Sequence, residues 1–323
     1  MIDERDRSTL VHAFLLESGW RTPTRVRFLA AGEYNENYLV DSSGELTVFR
    51  INHGTQLGLQ DQIGYEYEVL QQVAPSGVTP IPLELCRSHP MVPRGALLMS
   101  YLPGRALDYR DDLAGAAECF ARIHRIPYDA SAGPLIVQEN PVEAIVAECR
   151  GLLGRCARHP LPEHGEKIRA YLERIDALAA AASFGNEPFC IVNTEVNSGN
   201  FLVDNGIVRL VDWEKAVASY RYQDLGHFLV PTTTLWKSDF RFDAAGRRRF
   251  LSLYHEATEP EATLDEIDER TGVLQRTILL RAFSWVYMAY AEYTRGDRAL
   301  TNEDTFRTIR RYLDDIDLFL GPW

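Results

Sequence analysis

Leu10, Phe14 and Leu15 recur at helical spacing within residues 4–18, which predicts an amphipathic helix at the start of the chain. Beyond Pro23 the period changes. The runs RVRFLAAG, NENYLV and LTVFRIN are short and rich in Val, Phe, Leu and Tyr. Gly32 and the turn sequence DSSG at 41–44 separate them, so they read as three antiparallel strands in a meander. From Gln60 to Val73, Ile63, Tyr67, Leu70 and Val73 restore a three-to-four period, the mark of a helix. Pro80 and Pro82 lead into an apolar run at Leu83–Cys86, and Ala96–Tyr101 is a further strand.

After Pro103-Gly104 the pattern becomes helical. Asp111–Ile126, Pro141–Cys156 and Glu166–Ala182 each open on a polar or proline start signal and keep amphipathic spacing. One β-rich island, Phe189–Trp213, interrupts them, and helical pattern resumes over 244–256, 263–294 and 303–320. The expected fold class is therefore α+β, with a small antiparallel-sheet N-lobe (1–102) and a larger, mainly helical C-lobe (103–323). The length of 323 residues agrees, because single cores tend to split beyond about 250–300.

Composition narrows the function classes. The chain carries 34 Lys plus Arg against 46 Asp plus Glu, a formal charge of −12. That balance argues against a nucleic-acid surface, which needs clustered cations. The most apolar run, Thr277–Ala291, is broken by Arg281 and is shorter than the roughly 20 residues of a membrane helix. The first residues lack the apolar core of a signal peptide, and the five cysteines form no CxxC pair. A cytoplasmic protein with reduced thiols is expected, without nucleic-acid or membrane partners; the oligomeric state is not legible.

The chemistry concentrates in the β-rich island. In CIVNTEVNSGNFLVDNGIVRLVDWEKA, a polar loop holds Glu195, Asn197 and Asn200, and a hairpin ends at Asp212. Oxygen ligands on strand-end loops suit a hard divalent cation such as Mg²⁺; Asn197-Ser198-Gly199 suits a plain turn equally well. Further upstream, the turn GEYNEN, with Gly32 and Asn35, lies between two strands and could lay backbone N–H groups over phosphates. Arg50 on the third strand and Glu66 on the following helix could form a cation–carboxylate pair that orients phosphates. Arg50 also reads as an ordinary solvated strand residue. No Gly-x-Ser-x-Gly elbow, HExxH or Cys/His zinc spacing is present.

The order of these parts is more specific than any one of them. With GEYNENYLV, VFRIN, YEYEVLQQV, LLMSYLPGRAL, FARIHRI, NTEVNSGNFLVD, LVDWEKA and QDLGHFL, the chain resembles the aminoglycoside phosphotransferase and choline kinase-like family over roughly residues 25–230. The resemblance implies a bilobal protein kinase-like fold and ATP with Mg²⁺ as cofactors. It implies a small-molecule acceptor carrying a hydroxyl, an aminoglycoside, a choline-like compound or another alcohol, and in some members a cationic one. Residue by residue, it places Asn200 and Asp212 on the metal and Gly32, Asn35, Arg50 and Glu66 around the nucleotide. The hinge falls at Met99–Leu102, with Met99 and Tyr101 beside the adenine. Asp224 opens a helix and would steady the catalytic loop; His124 fits the family's helix-end histidine and reads as a structural one.

One departure stands out. The family loop usually reads His-Gly-Asp, and here it reads Asn193-Thr194-Glu195. Glu195 thus takes the catalytic-base position with one extra methylene. Carboxyl chemistry barely changes, since reference pKa values are about 3.9 and 4.3, but the reach does. Two expectations follow: a phosphotransferase whose loop is adapted to glutamate, or a nucleotide-binding pseudokinase without phosphotransfer.

Overall fold

The computed structural model describes residues 4–32, 34–133, 135–156, 159–179, 183–185, 187–296 and 303–321. In chain order the elements begin with α1 (Glu4–Glu17), β1 (Arg25–Ala31), β2 (Asn35–Ser42), β3 (Glu45–Asn52), α2 (Gln62–Val73), β4 (Pro82–Cys86), β5 (Ala96–Ser100) and β6 (Arg105–Ala106). There follow α3 (Leu113–His124), α4 (Pro141–Gly154), α5 (Pro162–Ala179), β7 (Cys190–Val192), β8 (Phe201–Asp204), β9 (Ile207–Leu210) and β10 (Val217–Ser219). The helices α6 (Tyr222–Leu229), α7 (Pro231–Lys237), α8 (Ala244–Thr258), α9 (Leu264–Arg295), α10 (Glu303–Asp314) and α11 (Ile316–Phe319) complete it. The chain divides into two compact units, residues 1–136 with 199–218, and residues 137–198 with 219–323.

The first unit is built on a five-stranded sheet in the order β1-β2-β3-β5-β4, antiparallel throughout. The expected meander is present, and both edge strands, β1 and β4, carry a register shift. The last six residues of β3 are all buried, because the sheet is covered on both faces. Side chains alternate across a strand. Phe49 and Ile51 therefore enter one core with Phe14 and Leu15 of α1, the Phe14 and Phe49 rings lying 5.3 Å apart. Arg50 points the opposite way, toward Glu66 of α2. A smaller sheet, β6-β8-β9, packs against α3 in the same unit.

The second unit is helical, organised around the 32-residue α9, against which α4, α5, α6, α8 and α10 pack. Thr263 and Glu266 close a capping box at its start, and Gly296 ends it in the left-handed conformation. No helix among the described residues is long and apolar enough to cross a membrane. All five cysteines are free thiols, four of them buried.

Residues 222–229 form α6, with Asp224 in its first turn as expected, and all eight of its residues are buried. The helices depart from the sequence expectations over 303–320 and near Glu166. The single helix expected over 303–320 is two, α10 and α11, interrupted at Asp315. The helix expected from Glu166 begins at Pro162, and its expected end at 180–182 lies outside the described residues.

Candidate functional site

In the first unit Arg50 is the hub. Its Nε donates to Asn37 Oδ1 at 2.9 Å, and its Nη1 donates to Glu66 Oε1 at 2.5 Å and to Asp212 Oδ1 at 3.0 Å. Register makes this possible, since Arg50 sits opposite Asn37 on β2 and opposite Leu97 on β5, in the middle of the sheet. Burial works against the guanidinium charge, yet the fields of Glu66 and Asp212 outweigh it and raise the Arg50 pKa. Glu66 has its pKa raised by burial, against the opposing pull of Arg50. The solvated-strand reading of Arg50 is corrected: its side chain is 6% exposed, held by two carboxylates.

Asp212 occupies the end of the hairpin formed by β8 and β9. The Val211 N–H donates to the Asn200 carbonyl at 2.9 Å, so the residue before Asp212 is tied to Asn200. Asp212 has a φ of 65°, a left-handed conformation that Asp tolerates better than most residues. The next residue, Trp213, is fully buried, and its indole N–H donates to Leu210 O at 3.1 Å. This ring anchors the loop, leaving the Asp212 side chain 30% exposed. Glu214 follows, buried, with a carboxylate oxygen within 4.8 Å of one from Asp212. Asp212 offers a hard oxygen donor of the kind Mg²⁺ takes, with the Asn200 backbone tied to its neighbour, and residues of this chemistry fit a divalent cation. Glu214 was missed in the sequence reading, although the second acid of Asp-Trp-Glu was a visible signal.

The turn between β1 and β2 differs in detail from its expected use. The Gly32 N–H donates to Asn35 O at 2.9 Å and closes the turn, so that N–H is not offered outward to a phosphate. A Cβ at position 32 would meet open space. Glycine matters instead at Gly54, where an added Cβ would lie 2.3 Å from the Tyr34 ring. Asn35 is buried, and its amide donates to Glu214. At the expected hinge, Met99 is buried opposite Val48 of β3, and Tyr101, just past β5, is half-buried.

In the second unit the loop after β7 hangs from one carboxylate. Asp224, in the first turn of α6, accepts the Asn193 N–H at 2.9 Å and the Thr194 N–H at 2.8 Å. Asn193 Oδ1 accepts the Glu195 N–H at 3.0 Å, and Glu195 O accepts the Asn197 N–H at 3.1 Å. Glu195 is half-buried at the end of this chain of bonds. Thr194 has a φ of 64°, which for a β-branched residue is a strained conformation costing about 1–3 kcal/mol. His124 is buried, stacked on Phe120 with ring centroids 5.5 Å apart, as a structural histidine would be. In α7, Trp236 is set edge-on to Trp285 at 6.1 Å.

A five-stranded antiparallel sheet followed by a helical C-terminal part is the fold that this chain shares with solved protein kinase-like phosphotransferases. The model of the phosphotransferase enzyme family matches residues 25–269, and the chain belongs to that family. No curated protein matches the sequence. Solved structures share the fold at low identity. A provisionally assigned aminoglycoside phosphotransferase from Ralstonia eutropha JMP134 is 14% identical, with 97% of this chain and 96% of that one covered and a TM-score of 0.69. A choline/ethanolamine kinase family protein from Mesorhizobium loti is 15% identical, covering 98% and 95%, with a TM-score of 0.65. The aminoglycoside phosphotransferase APH(4)-Ia, solved with ADP and hygromycin B, is 16% identical, covering 97% and 99%, with a TM-score of 0.63.

Proposed function

We propose that this protein is a kinase that moves the γ-phosphoryl group of ATP, with Mg²⁺, onto the hydroxyl of a small molecule. The observation that carries the reading is the Arg50–Glu66–Asp212 cluster, in which one buried guanidinium joins a helix carboxylate to the carboxylate at the hairpin end. Arg50 would meet the nucleotide phosphates and Glu66 would hold it extended. Asp212 and Asn200 would hold the cation, which supplies charge neutralisation on the transferring phosphoryl group. Met99 and Tyr101 belong to the hinge segment that would meet the adenine. Glu195 would accept the proton of the acceptor hydroxyl. A structural relative solved with ADP and an aminoglycoside supports nucleotide use and a small acceptor. The acceptor is a hydroxyl-bearing compound such as an aminoglycoside, a choline-like molecule or another alcohol. The cytoplasm, where ATP and Mg²⁺ are plentiful, fits that chemistry.

The test has two parts. Thermal shift with ATP and Mg²⁺ should stabilise the parent, and Asp212→Asn should abolish the metal-dependent part while leaving the apo protein folded. Transfer from γ-labelled ATP is then followed over a panel of aminoglycosides, amino alcohols and sugars. A parent that ATP and Mg²⁺ do not stabilise would falsify the reading; one that binds ATP yet labels no acceptor is a pseudokinase.

A further inference from the structure

Glu214 carries more than its place beside Asp212 requires. Asn35 Nδ2 donates to one of its carboxylate oxygens and Gln56 Nε2 donates to the other at 3.2 Å. Its backbone carbonyl accepts from Gln62 Nε2 at 2.7 Å. The chain of amides continues from Asn35, whose Oδ1 accepts Asn52 Nδ2 at 3.1 Å, and Asn52 also donates to Gly54 O at 2.9 Å. Asn35, Asn52, Gln62 and Glu214 are all buried. The same turn is held from its other side, where the His53 N–H donates to Tyr34 O at 2.7 Å and the Tyr34 ring lies on Gly54.

A buried carboxylate is costly unless it is hydrogen-bonded. Carboxamides that turn their NH₂ groups toward it help to meet that demand, alongside the field of Arg50, and they fix direction as well, because a carboxylate only accepts. The result joins three pieces of chain far apart in sequence: the 32–35 turn, the end of β3, and the loop bearing Asp212.

We infer that Glu214 is a positioning residue, acting through Asn35 to hold the 32–35 turn in register with the Asp212 loop, and so setting nucleotide affinity without touching the nucleotide. Its link to affinity rests on the proposed kinase function; the clasp itself does not. The contrary role for Glu214 is direct ligation of the cation, and reversing the polarity of the Asn35–Glu214 bond separates the two. Asn35→Asp with Glu214→Gln places the carboxylate on the turn and the amide on the loop. The bond between them and the bond from Asn52 can both re-form, while the loop loses its second negative charge.

The measurements are amide hydrogen exchange over residues 32–35 in the nucleotide-free protein, and ADP affinity by calorimetry with and without Mg²⁺. Each single variant should speed exchange in the turn and weaken ADP by about tenfold, one hydrogen bond's worth. Asn35→Asp should be the worse, since it opposes two carboxylates. The double variant should recover both readings to within about threefold of the parent. Recovery of neither overturns the clasp. If exchange recovers while ADP affinity in Mg²⁺ stays low, Glu214 is a metal ligand and the inference about affinity is overturned. A parent that binds no ADP defeats the kinase reading, and the exchange data still decide the clasp.

Discussion

Thr194 donates its backbone N–H to Asp224 Oδ1 at 2.8 Å while holding a φ of 64°. The resemblance to phosphotransferases puts glycine at this position, and glycine adopts such a φ freely. A β-branched residue there must be held in place. The Asp224 carboxylate, fully buried and accepting two consecutive N–H groups, does so. Strain at Thr194 and charge at Asp224 together fix the backbone that leads into Glu195.

Thr194→Gly should therefore raise unfolding free energy by about 0.5–1 kcal/mol, because relief of left-handed strain exceeds the chain entropy glycine adds. Asp224→Asn should lower it by about 2–4 kcal/mol, since it weakens two charge-assisted bonds and turns an N–H group toward an N–H group. Urea unfolding measures both. A loss of stability in Thr194→Gly would show that the loop is not strained as its backbone indicates.

Removing one member of the Arg50–Glu66 pair should cost far more than removing both. Arg50→Ala strands a buried carboxylate and is expected to cost about 3–5 kcal/mol. The double variant Arg50→Met, Glu66→Leu should regain most of that stability and still show no thermal response to ATP with Mg²⁺. Equal stability of the single and double variants would mean that the pair is not energetically coupled.

Catalysis tests the loop directly. Under the kinase reading, Glu195→Gln keeps nucleotide binding but slows turnover by roughly 10²–10⁴, the usual worth of a general base. Glu195→Asp is also slower than the parent, because the shorter arm falls back from the acceptor hydroxyl. Single-turnover transfer measures both, and a faster Asp variant would sink the idea of a loop adapted to glutamate.

Acid should weaken the contact between α1 and the sheet. Burial pushes the Glu36 carboxyl up, but hydrogen bonds from Arg7 and Tyr38, with the field of His53, outweigh it and leave the pKa below the ordinary carboxylate value. A depressed folded-state pKa gives stability that is present above the unfolded value, near 4.5, and is lost as pH falls through the folded one. The melting temperature of Glu36→Gln should accordingly be below the parent's near neutrality and converge with it in acid. Parallel curves would remove Glu36 from the pH response.

Local patterning accounts for much of this protein. Short runs rich in Val, Phe, Leu and Tyr between turn signals announced β1, β2 and β3, the three-to-four period announced α2, α4 and α9, and the order of polar motifs announced the family. Each of these signals lies within a short window, where side-chain spacing alone decides which face is apolar. The pairing of Arg50 with Glu66 was legible for the same reason, since both residue types stand out within their motifs. The full burial of α6 was not, because it depends on the helices packed around it. Nor was the clasp among Asn35, Asn52 and Glu214, whose last two members lie 162 positions apart. Only tertiary folding decides whether an asparagine faces a ligand or a buried carboxylate, because that choice depends on which donors and acceptors distant segments bring within about 3 Å of each other.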